Sequence, residues 1–187
     1  MISETAATLN HYNLALYPED SAFASLCIEL AQTNLSQLAD NYLLGSDALP
    51  HVTVCQFLAP GHLMPDIWAL FAEDAHQPLS LSFRHLYVQY GKAELEGKCW
   101  VGLAVRPEST IREFQKNAFA KLLEFGIEGR NFPDTYFPHL TFARCDATKP
   151  VVITYPPPQV TWLERYSFRL TLAQSDEHGR YHRQLRP

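Results

Sequence analysis

The first 83 residues of this 187-residue chain contain no lysine or arginine, although they carry nine of its twenty acidic side chains. The remaining residues hold all fifteen basic side chains and eleven acids, so the two parts carry formal charges of −9 and +4, and the whole chain −5. Non-specific binding to duplex DNA depends on many Lys and Arg contacts with phosphates, so this balance argues against a duplex-DNA partner. We expect any anionic ligand to be held locally, by cations from the second part.

The chain also lacks long apolar runs and cysteine clusters. It has no run of about eighteen apolar residues, and its N-terminus lacks the basic and apolar regions of a secretory signal, so neither a membrane partner nor secretion is expected. Its four cysteines never stand at metal-ligand spacing, and free thiols among apolar neighbours are typical of a reducing compartment. We therefore expect a cytoplasmic protein whose core, drawn from 47% hydrophobic residues, needs no disulfides.

Several enzyme signatures are missing as well. The chain has no GxSxG nucleophile elbow, no phosphate loop and no GxGxxG fingerprint. His178 and His182 are four residues apart, but they straddle a turn-forming segment where a helix would be needed to join them in a metal site. The sequence therefore predicts chemistry without a cofactor.

Strand-like and helix-like patterns interleave along the chain. Helices are predicted after Asp20, from Pro65 to about Ala75, and from Ile111 to a stop at Gly126. Strands are predicted at residues 10–17, 51–58, 79–90, 99–105, 138–144, 160–173 and 180–185. Hairpins join residues 79–90 to 99–105 and the last two strands to each other, which favours an α+β fold over a parallel doubly wound sheet.

The order strand, helix, strand occurs twice, which is a weak sign of internal duplication. We expect residues 1–187 to form a single domain of two lobes, related by a rough two-fold axis. Each lobe would be an antiparallel sheet backed by helices, with a cleft between the two sheets.

The pattern Pro-His-apolar-Thr-apolar occurs at residues 50–54 and again at residues 138–142. From composition, one copy is expected in about one such chain in a hundred, so two copies are far rarer. Alternate side chains of a strand share a face, so His51 lies beside Thr53, and His139 beside Thr141. If both strands face one cleft, it holds two groups that titrate near neutral pH and two hydroxyl donors. This combination suits metal-free acid–base cleavage of a phosphodiester.

The paired motif resembles that of the 2H phosphoesterases, which include the RNA 2′,3′-cyclic phosphodiesterases also called 2′,5′ RNA ligases. The resemblance extends to HLTFAR at residues 139–144, and LTLAQSDEHGRYHRQL at residues 170–185 is similar to the final hairpin of that family. It implies a two-lobed 2H phosphoesterase fold and hydrolysis of 2′,3′-cyclic phosphates of nucleotides or RNA ends to 2′-phosphomonoesters. It further implies that His51 is the general acid, His139 the general base, and Thr53 and Thr141 ligands of phosphoryl oxygens. A pseudosymmetric site could also work with the two histidine roles exchanged.

Other side chains are candidates for substrate binding. Arg144 would point away from the cleft in a regular strand, but a bulge or the strand's end would bring its guanidinium to the phosphate; a surface ion pair is the alternative. Tyr136 and Phe137 precede the second motif and could stack on a nucleobase or anchor their loop. His85 also lies on a predicted strand, where it could line the cleft or pack at an edge.

Two other functions fit the same residues. The site could cleave a 2′,5′-oligoadenylate or a cyclic oligonucleotide, and the acidic balance favours such small substrates over structured RNA. Alternatively, the chain could be a non-catalytic nucleotide- or RNA-binding module. The expected partner is in each case a nucleotide or a short RNA, with a cyclic phosphate or a 2′,5′ linkage, bound by a monomer.

Overall fold

The computed structural model describes residues 8–153, 164–176 and 179–185. These residues form nine strands and four α-helices. In chain order they are β1 (Leu9–Pro18), α1 (Ser21–Leu35), β2 (Ala39–Leu43), β3 (Val52–Pro60), α2 (Met64–Ala69), α3 (Ala72–Ala75), β4 (Leu79–Leu81), β5 (Phe83–Tyr90), β6 (Lys98–Val105), α4 (Ser109–Glu124), β7 (His139–Asp146), β8 (Tyr166–Ser175) and β9 (Tyr181–Leu185). Residues 160–163, where one strand is predicted to begin, and His178 lie outside the described residues.

The nine strands form one continuous antiparallel sheet, whose two halves, one in each lobe, meet at one pair of residues. In the first lobe, β3, β1 and β8 lie side by side, and β4 and β9 both pair with β8. In the second lobe, β7, β6 and β5 lie side by side, and β2 pairs with β7. The lobes are joined where Val52 of β3 pairs with Leu140 of β7. The predicted two-lobed α+β fold is confirmed.

Each motif strand contains a β-bulge directly after its threonine. The extra residue is Val54 in β3 and Phe142 in β7, and both are fully buried. One extra residue shifts the alternation of side chains, so the residue three positions after the threonine lies on the same face as the threonine. These residues are Gln56 in β3 and Arg144 in β7, and the bulge brings Arg144 to the cleft face.

The segment after each long helix pairs with the opposite lobe. Helix α1 follows β1 but packs against β7, and α4 follows β6 but packs against β3. Strand β2, which follows α1, pairs with β7. In return, Gly129, which follows α4, bridges to Phe57 of β3. The two lobes are thus joined by a reciprocal exchange of chain segments.

The sequence signals at the helix ends are confirmed. Asp20 caps α1, because its carboxylate accepts hydrogen bonds from the backbone N–H of Ala22 at 2.8 Å and of Phe23 at 3.3 Å. Gly126 follows α4 with a φ of 88°, the left-handed conformation that glycine adopts readily. Phe23 buries its ring against Tyr166 at 4.0 Å between centroids, so α1 also closes the core of the first lobe.

One predicted strand is divided between the lobes. Residues 79–90 form β4, which pairs with β8, and β5, which pairs with β6. The chain crosses from one lobe to the other at Ser82, whose buried carbonyl accepts a hydrogen bond from the backbone of Arg106 at 2.9 Å. Within the described residues, no helix combines the length and apolar character needed to cross a membrane.

Candidate active site

The junction between the lobes brings the two motifs together. Their apolar residues, Val52 and Leu140, lie directly opposite each other and are fully buried. The histidine and threonine of each motif therefore point to the other face of the sheet. Continuing the antiparallel register by one residue sets each histidine opposite the threonine of the other motif, at a typical Cβ separation of about 4.5–5.5 Å. The four motif side chains thus cluster in one cleft.

Each motif histidine is oriented by the same backbone contact. Nδ1 of His51 lies 2.8 Å from the carbonyl oxygen of Leu49, and Nδ1 of His139 lies 2.7 Å from that of Phe137. The acceptor is in both cases two residues earlier, on the other side of the motif proline. A carbonyl oxygen only accepts hydrogen bonds, so Nδ1 carries a proton in both rings. Nε2 is then the nitrogen available to exchange protons.

The two histidines differ in their surroundings. His51 is 6% exposed and stacks on the ring of Tyr181 at 5.0 Å. Burial lowers the pKa of His51 to about 4, and the nearby His139 adds to this effect. His139 is half-buried, with the ring of Phe137 at 5.5 Å and that of Tyr87 at 5.1 Å. Burial also lowers the pKa of His139.

Asn13 of β1 completes the polar cluster around the first motif. It is fully buried, and its Nδ2 lies 3.3 Å from Nε2 of His51 and 3.1 Å from Oγ1 of Thr53. The same nitrogen lies 3.4 Å from the carbonyl oxygen of Gly179. Our sequence analysis missed this residue. The available signal was a polar amide on the same face of the first predicted strand as His11 and Ala15.

Thr141 is held from across strand β6. Tyr87 lies opposite Gly102, and Gly102 lies opposite Thr141. Because Gly102 has no side chain, the Tyr87 ring can lie over β6, with its hydroxyl 3.0 Å from Oγ1 of Thr141. A Cβ atom on Gly102 would come within 2.9 Å of that ring and 2.1 Å of the carbonyl oxygen of Leu140. The absence of a side chain at Gly102 is therefore required for this contact.

The first lobe has a different arrangement in the equivalent row. Ala15 of β1 lies between Thr53 of β3 and Thr171 of β8. It corresponds to Gly102, which lies between Thr141 and Tyr87 in the second lobe. Thr171 is short, and its hydroxyl donates to the carbonyl of Ala15 at 3.0 Å. Tyr181 of β9 donates in turn to Oγ1 of Thr171 at 2.5 Å. The Tyr181 hydroxyl therefore contacts Thr171 of β8. The Tyr87 hydroxyl of the second lobe instead contacts the motif threonine, Thr141.

Arg144 is already partnered in the cleft. Its side chain is buried, with Nε donating to the carbonyl oxygen of Asp40 at 3.0 Å and Nη2 lying 3.8 Å from the Asp40 carboxylate. That carboxylate also pairs with Lys98 at 2.7 Å. The bonds to Lys98 hold the pKa of Asp40 below its usual range. A contact between Arg144 and a substrate phosphate stays a prediction.

Tyr136 and Phe137 have different positions. Tyr136 is buried, and its hydroxyl donates to the carbonyl oxygen of Thr53 at 2.8 Å. It anchors its loop to β3, so the anchoring interpretation applies and its ring offers no face to a base. Phe137 is 44% exposed beside His139. Base stacking therefore stays a prediction for Phe137 alone.

A surface pocket with three basic side chains lies further along the second half of the sheet. His85 is opposite Ala104, and Ala104 is opposite His139, so the three residues form one row across the strands. His85 lines the pocket together with Arg84, Arg106 and the carboxylate of Glu108. The pocket thus lies two strands away from the second motif.

Possible metal ligands are dispersed in the described part of the chain. No group of three His, Cys, Asp or Glu residues there could hold a metal ion. Cys55 and Cys145 are buried, and burial raises the pKa of each thiol to about 11. The polar groups of the cleft are imidazoles, hydroxyls, an amide and the guanidinium of Arg144, which is paired with Asp40.

Comparison with solved structures identifies the fold. No family model matches the chain, and no curated protein matches it. A crystal structure of a phosphoesterase matches with a TM-score of 0.62 and 17% identity, over 96% of this chain and 97% of the other. The structure of E. coli LigT complexed with 3′-AMP gives 0.64 and 16% over the same shares, and that with ATP gives 0.60 and 15% over 96% of both chains. The chain has the fold of these phosphoesterases. This confirms the structural resemblance expected from the paired motif.

Proposed function

We propose that this protein is a phosphodiesterase that hydrolyses 2′,3′-cyclic phosphates of nucleotides or RNA ends to 2′-phosphomonoesters, with His51 and His139 as its catalytic pair. The observation that carries the proposal is the geometry at the junction. Two imidazoles, each with Nδ1 bound to a carbonyl, stand in one cleft, and each lies beside the threonine of the other motif. The likeness to LigT, solved with 3′-AMP and with ATP, supports a nucleotide as the ligand.

The surroundings favour His51 as the general base and His139 as the general acid, which exchanges the roles that the family resemblance implies. A buried imidazole with a pKa of about 4 is neutral at pH 7 and keeps its Nε2 lone pair. Burial lowers the pKa of His139 as well, but this ring is more exposed than that of His51, and the face of Phe137 lies over it, where aromatic electrons partly offset the cost of a positive charge. The negative phosphate between the two rings stabilises that charge further.

In the proposed reaction, water attack, loss of the 3′ oxygen and both proton transfers occur in one step. Nε2 of His51 takes a proton from water as the water oxygen bonds to phosphorus. The bond between phosphorus and the 3′ oxygen breaks, and that oxygen takes a proton from Nε2 of His139. The hydroxyls of Thr53 and Thr141 donate to the phosphoryl oxygens, whose charge grows in the transition state. The product carries a 2′-phosphate and a free 3′-hydroxyl.

The distribution of charge supports a small substrate. Two arginines that could have formed a basic track are paired with acids, Arg165 with Glu108 at 2.9 Å and Arg169 with Glu19. Residues 9–81, which include β1, β3 and β4 of the first lobe, contain no lysine or arginine. A chain of phosphates would find few free cations there.

A short 2′,5′-linked oligonucleotide is a second candidate substrate. The observation that favours it is the pocket of Arg84, His85 and Arg106. A phosphate next to the one held by the motifs could reach this pocket along the row from His139. Cleavage would use the same pair of histidines.

The decisive experiment incubates the protein with 2′,3′-cyclic mononucleotides and with 2′,5′-linked dinucleotides in EDTA and separates the products by chromatography. We expect the cyclic substrate to yield a 2′-phosphate. His51→Ala and His139→Ala should lose this activity, whereas the matched control His85→Ala should keep it. Binding without turnover would instead indicate a nucleotide-binding module.

The roles of the two histidines are tested with a cyclic substrate that carries sulfur in place of the 3′ oxygen. A thiolate leaves without a proton, because its pKa is several units below that of an alcohol. His139→Ala should therefore recover most of its lost rate on this substrate, and His51→Ala should not. If His51→Ala alone recovered its rate on this substrate, His51 would be the general acid and His139 the general base, as the family resemblance implies.

A further inference from the structure

The amide of Asn13 can face His51 in two ways, with opposite consequences. Its NH2 group donates hydrogen bonds and its oxygen accepts them. If the NH2 group faces Nε2 of His51, that nitrogen must be an unprotonated acceptor. If the oxygen faces it, Nε2 must carry a proton. The orientation of one amide therefore determines which charge state of His51 is stabilised.

The carbonyl oxygen of Gly179 fixes this orientation. It lies 3.4 Å from Nδ2 of Asn13, so reversing the amide would set two oxygens against each other. Gly179 has a φ of 79°, and its N–H donates to the carbonyl of Asp176 at 3.0 Å. A Cβ atom at this position would come within 1.9 Å of the Gln56 side chain. The contacts of Gly179 with Asp176 and Gln56 thus hold its carbonyl against Asn13.

With the amide fixed, both nitrogens of His51 have assigned roles. Nδ1 donates to the carbonyl of Leu49 at 2.8 Å, and Nε2 accepts from Nδ2 of Asn13 at 3.3 Å. Oδ1 of Asn13 is buried and has no hydrogen-bond partner among the described residues. It is an acceptor that a hydroxyl donor of a ligand could satisfy.

The other groups around His51 have mixed effects on its charge. His139 approaches from β7 and disfavours a second positive charge. Tyr181 of β9 stacks on the ring, and burial raises the pKa of its hydroxyl to about 12, so it stays neutral. The carbonyls of Leu49 and Gly179 favour the protonated ring and partly oppose burial. Next to Gly179, the guanidinium of Arg180 lies 3.6 Å from the carboxylate of Asp176, so their charges largely cancel.

The second motif has no such amide. Gln56 and Arg144 each lie three residues after the motif threonine, beyond the bulge, so they occupy equivalent positions. Gln56 pairs with Asn13 of β1, and Arg144 pairs with Trp100 of β6. The position that holds an amide in the first lobe therefore holds an indole in the second, and an indole nitrogen only donates.

Building on the proposed function, we propose that Asn13 is a positioning residue that, locked by the carbonyl of Gly179, holds His51 as a neutral imidazole with Nε2 as proton acceptor. Gly179, which lies two residues before β9, is thereby part of what sets the roles of the two histidines.

The direct test is NMR of the imidazole nitrogens in protein labelled with ¹⁵N, with no substrate present. Wild-type His51 should keep its proton on Nδ1 and none on Nε2 from pH 8 to pH 6. Asn13→Asp places a carboxylate against Nε2 and should raise the pKa of His51 by about 1–3 units. Asn13→Leu, which is of similar size and has no donor, should raise it less.

The matched control is Gln174→Glu. Gln174 is exposed next to Ala173 on β8, and Ala173 is the residue opposite Asn13. Its side chain points to the opposite face of the sheet, so a charge there should leave the His51 titration within a few tenths of a unit. An unchanged His51 titration and tautomer in both Asn13 variants would overturn the proposal.

Kinetics connect the proposal to turnover. In Asn13→Asp the acidic limb of the kcat/KM profile should move to higher pH together with the His51 titration, with KM at pH 8 nearly unchanged. An active wild type whose Asn13→Asp variant keeps the original limb contradicts the positioning role. An inactive wild type with the expected NMR shifts contradicts the proposed function and leaves the tautomer assignment standing.

Discussion

The two motif histidines have the same backbone support and different neighbours. Each lies after a proline, donates from Nδ1 to the carbonyl two residues earlier, and precedes a bulge. His51 is nevertheless buried against Tyr181 and faces an amide, whereas His139 is half-buried between two aromatic rings. The repeated sequence therefore specifies where the two imidazoles stand. In the proposed mechanism, the residues around each motif set which way the proton moves.

The largest expected effect comes from removing either histidine. His51→Ala and His139→Ala should each lower kcat by about 10²–10⁴-fold, because a general acid or base contributes that much. The double variant should be much less impaired than the product of the two effects, because groups that act in one step are not additive. Steady-state rates on a 2′,3′-cyclic nucleotide, with circular dichroism to confirm folding, measure this. Activity near that of the wild type in either single variant would refute the paired mechanism.

The next effect is on the pH dependence of the free energy of unfolding. In the folded state the pKa of His51 is about 4, below the usual 6.5, so the unfolded chain binds more protons between these values. The contribution of neutral His51 to the free energy of unfolding is therefore fully present above pH 6.5. It is lost as the pH falls towards 4, and the loss is about 3 kcal/mol at most.

Urea unfolding at pH 7 and pH 4.5 measures this change. His51→Gln should reduce the loss of unfolding free energy between the two pH values relative to the wild type. His139→Gln should reduce it in the same direction, because burial also lowers the pKa of His139. An identical pH dependence in the wild type and His51→Gln would contradict the assignment of a buried neutral imidazole.

A smaller effect compares the two tyrosines. Tyr87→Phe removes the hydroxyl that lies 3.0 Å from Oγ1 of Thr141 and should lower kcat/KM by about 2–10-fold, the value of one hydrogen bond. Tyr181→Phe removes a hydroxyl that contacts Thr171 and keeps the ring on His51, so it should affect stability more than kcat/KM. The comparison fails if Tyr181→Phe impairs turnover as much as Tyr87→Phe.

The smallest effect concerns salt. The KM for a 2′,3′-cyclic mononucleotide should change little between low and moderate ionic strength, because binding one phosphate releases few counterions. For a ten-nucleotide RNA, any salt dependence should decrease in Arg84→Ala, which removes one cation of the basic pocket. A much lower and steeply salt-dependent KM for the RNA would contradict the preference for small substrates.

The positions of the proposed catalytic groups could be predicted from sequence, because the paired motif and period-two alternation place the histidines and threonines on one face. The bulges could not. Neither Val54 nor Phe142 differs from an ordinary strand residue, and the extra residue is set by pairing with β1 and β6. The sequence therefore leaves two alternatives open for Arg144, which are a position in the cleft and a surface ion pair.

The contacts of Asn13 could not be predicted either, because one of its partners is 166 residues away. Strand β2 was missed for a related reason. It begins with Ala39 and Asp40, which do not favour strands, and Asn41 has a φ of 59°. Only the exposed edge of β7 makes this segment a strand. Such elements are determined by tertiary contacts that local patterns do not contain.

The exchange of segments after α1 and α4 has a consequence for how the molecule comes apart. A chain cut between the lobes would leave β3 without α4 and β7 without β2, and both strands would expose backbone groups that promote aggregation. Neither half can therefore persist as a separate foldon. We expect the lobes to melt in one cooperative transition, so that the two histidines are lost together and never one at a time.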